Sequence, residues 1–297
     1  MKKQNSKLAF SLIELSVVIL IIGILVIGIT KGSRIIRASK LRSAQTLTTS
    51  SPVASMDGIL IWVEPTLDKS FNSGGAVDTA FATNGTITSW NDINPQTTTP
   101  NNATQSGGAA AQPRYISNGI NGLPVVNFDG TSDFLGYDGT KLANSNYSIF
   151  IIEQRRTGVD DNYFLAGASD TSSNTNLHFG YRYNNTITFD QWGNGYDLAI
   201  TSYSSNNIIP RLHSLRFSST KGKNYNLNGV SKDGSLVPNG SNQPNQGLVS
   251  YNSAQIGGRN GNKYAGDIAE VIIFTKYVTD SERTTIENYL KTKWGIK

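Results

Sequence analysis

The chain has 297 residues, enough for one large domain or two small ones beside an N-terminal segment. Cysteine is absent, which excludes disulfides, thiolate metal sites and a thiol nucleophile. The net charge of +5 is local: eight of the 26 Lys/Arg but one of the 21 acids lie in residues 1–50, so the other 247 residues hold 18 basic and 20 acidic groups, a balance of −2. A nucleic-acid partner is therefore not expected, since that function needs a basic patch on the folded domain.

Residues Leu15–Ile29 form an uncharged apolar run. Extended back to Phe10 it reaches the length of a membrane-spanning helix, with Glu14 as its one acid. No small-residue cleavage pattern follows Ile29; Lys31, Arg34 and Arg37 come instead, so an ordinary signal peptide is disfavoured. A plain signal-anchor explains the run but not the residues before it.

The segment KLAFSLIELSVVILIIGILV resembles the leader and mature N-terminus of type IV pilins and pseudopilins. The family has a small residue before the cut, an aromatic after it and a Glu at the fifth mature position. Ala9, Phe10 and Glu14 match, with Ala9 departing from the usual Gly. The resemblance implies cleavage between Ala9 and Phe10 by a prepilin peptidase and N-methylation of Phe10. Glu14 would pair with the Phe10 amine of a neighbouring subunit during assembly, because an unpaired carboxylate in low dielectric is costly. A Glu14 that reaches the headgroups is the bland alternative. It also implies a single-pass protein of the bacterial inner membrane, its C-terminal domain outside the cytoplasm, assembled with other pilin or pseudopilin subunits. Lys/Arg counts oppose that orientation, with three before the run and five after it.

Ile35, Ile36, Leu41 and Leu47 continue a helical spacing, and Pro52 ends it. The expected organisation is a leader over 1–9, a membrane and stem helix over 10–51, and a domain over 55–297.

From about Ser55 short apolar runs alternate with Gly, Asn, Asp and Ser. Expected strands are Ile59–Val63, Leu123–Phe128, Tyr147–Gln154, Leu177–Tyr183, Thr186–Phe189, Arg211–Phe217 and Ile268–Phe274. In Leu177–Tyr183 the residues Leu177, Phe179, Tyr181 and Tyr183 share one face, and His178, Gly180 and Arg182 the other. Gln96–Gln112 reads as a long surface loop. Thr279 and Glu282 form a capping box before a short helix, and Trp294 is expected to pack on the sheets.

The segments SWNDIN (89–94), NGINGLPVVNFDGTSDFL (118–135), KNYNLNG (223–229) and AQIGGRNGNKYAGDIAEVIIF (254–274) resemble the concanavalin A-like lectin/glucanase superfamily in its laminin-G-like branch. The resemblance implies a jelly-roll β-sandwich. The fold class expected for the whole chain is mainly β, a long pilin-type helix followed by that sandwich and a short C-terminal helix.

A glycosidase of this fold needs paired carboxylates on one strand face, and no E-x-D-x-x-E run occurs. Strand alternation puts Asp267 and Glu270 on opposite faces, while Asp129 and Asp133 suit a turn. His178 and His213, the only histidines, lack metal spacing. Asp160 and Asp161 with Asn162 offer oxygen ligands for Ca²⁺, or form a solvated loop; no other cofactor is expected. His178, Arg182, Asp190 and Trp192 could line a sugar site on the polar face of adjacent strands, with Trp192 as core residue the alternative. The leading expectation is a minor pilin or pseudopilin presenting a lectin-like domain to a glycan or surface protein. The alternatives are a type II secretion pseudopilin and a membrane-tethered glycan hydrolase.

Overall fold

The computed structural model describes residues 12–71, 85–105, 108–157, 162–168, 172–182, 186–191, 196–200, 208–232, 236–238, 247–259 and 261–297. The chain divides into two units, Met1–Arg42 and Ser43–Lys297. Helix α1 (Leu12–Thr49) begins with Glu14 in its first turn, where a negative charge complements the helix N-terminus. Up to Ile36 its described apolar side chains, among them Leu12, Ile13 and Leu20, are exposed. The side chains of Thr48, Thr49 and Ser50 donate back to the carbonyls of Ala44, Gln45 and Thr46, and Pro52 follows. Proline cannot donate to the preceding turn, so the helix stops there.

Among the described residues no helix is long and apolar enough to cross a membrane. This overturns the expected pilin-type membrane span and stem. It also overturns the single-pass inner-membrane localisation and the assembled pilus or pseudopilus that rested on it.

Among the described residues the second unit has nineteen strands. In chain order they are β1 (Ile59–Val63), β2 (Ser89–Trp90), β3 (Ala103–Thr104), β4 (Arg114–Ile116), β5 (Val125–Asp129) and β6 (Leu135–Tyr137). Then come β7 (Tyr147–Arg155), β8 (Asn162–Gly167), β9 (Leu177–Arg182), β10 (Thr186–Gln191), β11 (Tyr196–Ile200) and β12 (Arg211–Ser218). The last are β13 (Gly222–Leu227), β14 (Val230–Ser231), β15 (Leu236–Pro238), β16 (Ala254–Ile256), β17 (Gly258–Arg259), β18 (Asn262–Lys263) and β19 (Ala265–Phe274). Helix α2 (Asp280–Trp294) follows.

One sheet runs β14-β13-β12-β7-β19-β5-β4. Its strand β19 pairs with β5 through Ala265–Ile268 and with β1 through Val271–Phe274, so both share one of its edges. The second sheet runs β15-β11-β10-β9-β8-β16-β6-β3-β2. All pairings in both are antiparallel, and a small β17-β18 ribbon stands apart.

Alternation sorts the side chains into layers. In β7, Ile149 and Ile151 enter the cluster between the sheets, where they meet Phe164, Phe179 and Tyr181 of the second sheet. Phe150 and Ile152 point the other way, into a cluster with Trp62, Leu212, Ile272 and the α2 residues Ile286, Leu290 and Trp294. The outer face of the first sheet is thus covered by apolar packing. The last turns of α1 join this second cluster: Ala44 is buried in it, and Gln45 Nε2 donates to Thr66 O at 2.9 Å.

The second unit is mainly β as expected, a two-sheet antiparallel sandwich with a helix-covered face; what the structure corrects is the membrane-spanning pilin-type helix expected before it. Gln96–Gln112 is not all loop, since it supplies β3. The α2 capping box is formed, with Thr279 accepting from Glu282 N and Glu282 Oε2 accepting from Thr279 N. Thr279→Ala should lower stability by about 1 kcal/mol, measured by urea denaturation, while Thr279→Ser should change it little.

Candidate functional site

The outer face of the second sheet differs from that of the first. Thr104, Gly136, Gln255, Ala166, His178 and Asp190 stand opposite one another, strand by strand, from β3 to β10. Their chain neighbours Ala103, Leu135, Ala254, Leu165, Leu177 and Phe189 face the inter-sheet core. The row therefore lies on the opposite, outer face and consists of small or polar residues.

At one end of the row the sequence-proposed residues meet. His178 Nδ1 lies 3.8 Å from Asp190 Oδ2, and Arg182 Nη1 lies 3.9 Å from the same oxygen. The His178 ring packs on Tyr163 at 5.0 Å. His178 and Asp190 are buried and Arg182 is partly exposed. Gly180 in β9 admits close approach of β8: a Cβ there would stand 2.5 Å from Tyr163 Cα. Trp192, the fourth proposed residue, lies outside the described residues, as do Ala9, Phe10, Asp160 and Asp161. Asn162, the third of the proposed Ca²⁺ ligands, accepts from Ala265 N at 3.0 Å. Glu14 is exposed on α1. Among the described residues no cluster of His, Cys, Asp and Glu could hold a metal ion.

The other end of the row opens as a cleft of about 500 Å³. Its floor is Gly136. A Cβ built there would come no closer than 3.7 Å to Thr104 O and 3.8 Å to Ala254 O, so no side chain occupies the space above it. Asn102, Thr104, Asp138, Asn252, Ser253 and Gln255 surround the floor, with Phe134 and Tyr137 as aromatic members.

Internal hydrogen bonds hold these walls. Asp92 Oδ1 accepts from Trp62 N and Asn94 N, and its Oδ2 accepts from Asn101 N. Burial pushes the Asp92 carboxyl above its ordinary value, against the pull of these N–H groups. Asn102 Oδ1 accepts from Asp92 N at 2.9 Å. Asn101 Nδ2 donates to Asp138 O at 2.8 Å and its Oδ1 accepts from Asp138 N at 2.9 Å, which clasps the loop to the end of β6. Asp138 Oδ1 accepts from Thr140 N and Thr140 Oγ1, which holds the carboxyl below its ordinary value. Lys263 lies 4.2 Å over the Phe134 ring and 3.5 Å from Gln255 Oε1.

Carboxylates elsewhere are occupied. Asp129 Oδ1 accepts from the N–H groups of Thr131, Ser132 and Asp133, so the pair shapes a turn. Burial, with the neighbouring Asp129 charge, pushes Asp133 up to about 6. Burial acts upward on Asp129 too, but the N–H groups of Ser132, Thr131 and Asp133 outweigh it and hold that carboxyl low. Asp267 and Glu270 depart from the alternation expected of them. A bulge between Ile268 and Glu270 lets both Ile268 and Val271 face the inter-sheet core, which leaves both acids on the other side. They have separate partners: Arg156 and Asn127 for Asp267, Lys293 and three aromatic side chains for Glu270.

No protein-family model matches the chain. No curated protein matches it either. Among solved structures it is similar to the Trypanosoma rangeli sialidase in complex with 2,3-difluorosialic acid, with a TM-score of 0.51 and 13% identity over 86% of this chain and 38% of that one. The binding domain of Paraclostridial mosquitocidal protein 1 also has a TM-score of 0.51, at 12% identity over 80% of this chain and 55% of that one. Domain 4 of AbnA, an extracellular arabinanase from Geobacillus stearothermophilus solved with arabinotriose, has a TM-score of 0.42 at 15% identity over 63% and 82%. The chain thus spans less than two fifths of the sialidase. At these identities the likeness shows the fold alone. Together with the lack, among the described residues, of a helix able to cross a membrane, this fold likeness overturns the resemblance to a pilin or pseudopilin fused to a concanavalin A-like domain and the secretion-system assignment that came with it.

Proposed function

We propose that the sandwich is a glycan-binding domain, with saccharide seated in the cleft above Gly136. The observation that carries this is the glycine-floored cleft ringed by amide and hydroxyl side chains on the outer face of the second sheet. Sugar sites pair a few fixed polar groups with an apolar surface in a preformed cleft of about 300–1,000 Å³. Here Asn102, Asn252 and Gln255 offer amides, Asp138 keeps Oδ2 clear of the Thr140 bonds, and Phe134 adds apolar surface. The structural neighbours solved with sugars are consistent with this.

Binding fits better than hydrolysis. Glycoside hydrolysis needs two carboxyl groups flanking the bond, and among the described residues Asp138 is the only carboxylate lining this cleft. Asp133, next to the cleft residue Phe134, is 4% exposed and its Oδ2 accepts from Asp129 N.

Gly136→Trp should abolish glycan binding, by about a hundredfold or more in Kd, because an indole would fill the floor. A Cβ at this position stands at ordinary contact distance from Thr104 O and Ala254 O, so the variant should still fold cooperatively, which a thermal melt checks. Glycan-array screening followed by calorimetry checks this. Retained binding in the variant, or no binding of any glycan by the wild type, would reject the proposal.

A further inference from the structure

We infer that this site takes an uncharged oligosaccharide of at least two sugar residues, which crosses the Asn101–Asp138 clasp and occupies a cleft on either side of it. The inference rests on the glycan-binding proposal and narrows its ligand.

A second cleft of about 300 Å³ shares Pro100, Asn101 and Asp138 with the first. Its remaining wall includes Asn94, Thr97, Thr99 and Lys141. The shared residues form a ridge between two compartments. That ridge is rigid: besides the two bonds to Asp138, Asn101 Nδ2 reaches Leu60 O at 3.3 Å, and Asn101 N is held by Asp92. Pro100, Thr99 and Asp138 are exposed, so a ligand can pass over the top without displacing protein. A fixed ridge between two preformed clefts suits a chain of repeated units and loses little ordering entropy on binding.

The charge on the walls selects against acids. The larger cleft carries Asp138 as its one charged lining residue, and the smaller adds only Lys141. The nearby cation Lys263 is already engaged over the Phe134 ring, by Gln255 and by attraction to Asp129 and Asp133. A uronate or sialate in the larger cleft would set its carboxylate against Asp138 with no cation lining the cleft, an unfavourable like-charge contact. Amides and hydroxyls suit sugar hydroxyls.

The test uses the full chain and an array of oligosaccharides, uncharged and acidic, each as a length series from the monosaccharide upward. Hits are measured by titration calorimetry against wild type, Gly136→Trp and Thr99→Trp, the last filling the smaller cleft at an exposed position. Affinity for an uncharged glycan should rise at least about tenfold with length and then level off. Thr99→Trp should remove that rise while leaving the shortest ligand bound, and Gly136→Trp should remove both. Affinity independent of length, an unaltered rise in Thr99→Trp, or preference for acidic glycans would overturn this inference and leave the glycan site standing. Failure of every glycan to bind would overturn both.

Discussion

Lys293→Met should destabilise the protein by about 3–5 kcal/mol, as expected when one member of a buried ion group is removed and its partners are left charged. Lys293 Nζ lies 2.8 Å from Glu64 Oε2 and 2.8 Å from Glu270 Oε2, with all three side chains fully buried. The rest of each carboxylate is saturated. Glu64 accepts from Thr66 N, Leu67 N and Ser70 Oγ, and Glu270 accepts from the Trp62 and Trp294 indoles and from Tyr289. These bonds tie α2 to β1 and β19, so the lysine joins the first strand, the central strand and the covering helix. In thermal melts each kcal/mol corresponds to about 2–4 °C for a domain of this size. The pH dependence separates this account from simple loss of packing. Burial pushes Glu64 up, but the Lys293 charge outweighs it and holds the carboxyl below its ordinary 4.5. A depressed folded value means a stabilising contribution present above pH 4.5 and lost as pH falls through the folded value. Without Lys293 the buried Glu64 carboxylate loses the charge that holds it down, so the deficit of the variant should shrink as pH drops toward 4, and adding Glu64→Gln should recover part of it at neutral pH. A deficit under about 1 kcal/mol that does not vary with pH would refute this.

Glu153→Leu should cost a similar amount, about 3–5 kcal/mol, for a different reason. Glu153 sits between the sheets and accepts from Tyr181 Oη at 2.6 Å, from His213 Nε2 at 2.9 Å and from Tyr264 Oη. Arg211 Nη1 is 4.0 Å away and donates to Tyr181 Oη at 3.0 Å. The other His213 nitrogen faces Tyr225 Oη at 2.8 Å, which accounts for a neutral ring that donates from Nε2 and accepts at Nδ1. Leucine would leave two tyrosines, a histidine and the Arg211 charge without their acceptor. Glu153→Gln, which keeps an acceptor oxygen, should lose less. Burial holds His213 below its ordinary 6.5, against the pull of Glu153. Its contribution is therefore complete above pH 6.5 and lost as pH falls below it, so His213→Gln should flatten the stability curve in that acid range. Chemical denaturation at a series of pH values reads both effects, and an unchanged slope would exclude His213 as the titrating group.

Strand parity made much of the sandwich legible in the sequence. Ile149, Ile151, Leu177, Phe179 and Tyr181 alternate at period two and all enter the inter-sheet core. The capping box announced α2 because Thr279 and Glu282 satisfy each other's backbone donors locally. Parity also held a signal that went unused. Glu153 follows Ile149 and Ile151 on the inward face, and an acid there needs donors from the opposite sheet. The cleft was not legible. Its strands β3, β6 and β16 have two or three residues each, too few to show a period, and Asn101 and Asn102 look like ordinary loop composition. The bulge at β19 was hidden as well, since one extra residue in a ten-residue apolar strand leaves no mark on composition.

Strand β19 is also the hub of the first sheet, joined to β1, β5 and β7, and it follows all three in the chain. On a ribosome those three strands emerge long before the one that pairs with them. Until residues 265–274 appear, each presents an unsatisfied edge, and the closure that seals them spans as many as 215 residues, between Ile59 and Phe274. Such distant pairing slows folding and prolongs exposure of sticky edges. Synthesis of this domain should therefore depend on chaperone cover until its final strand is made.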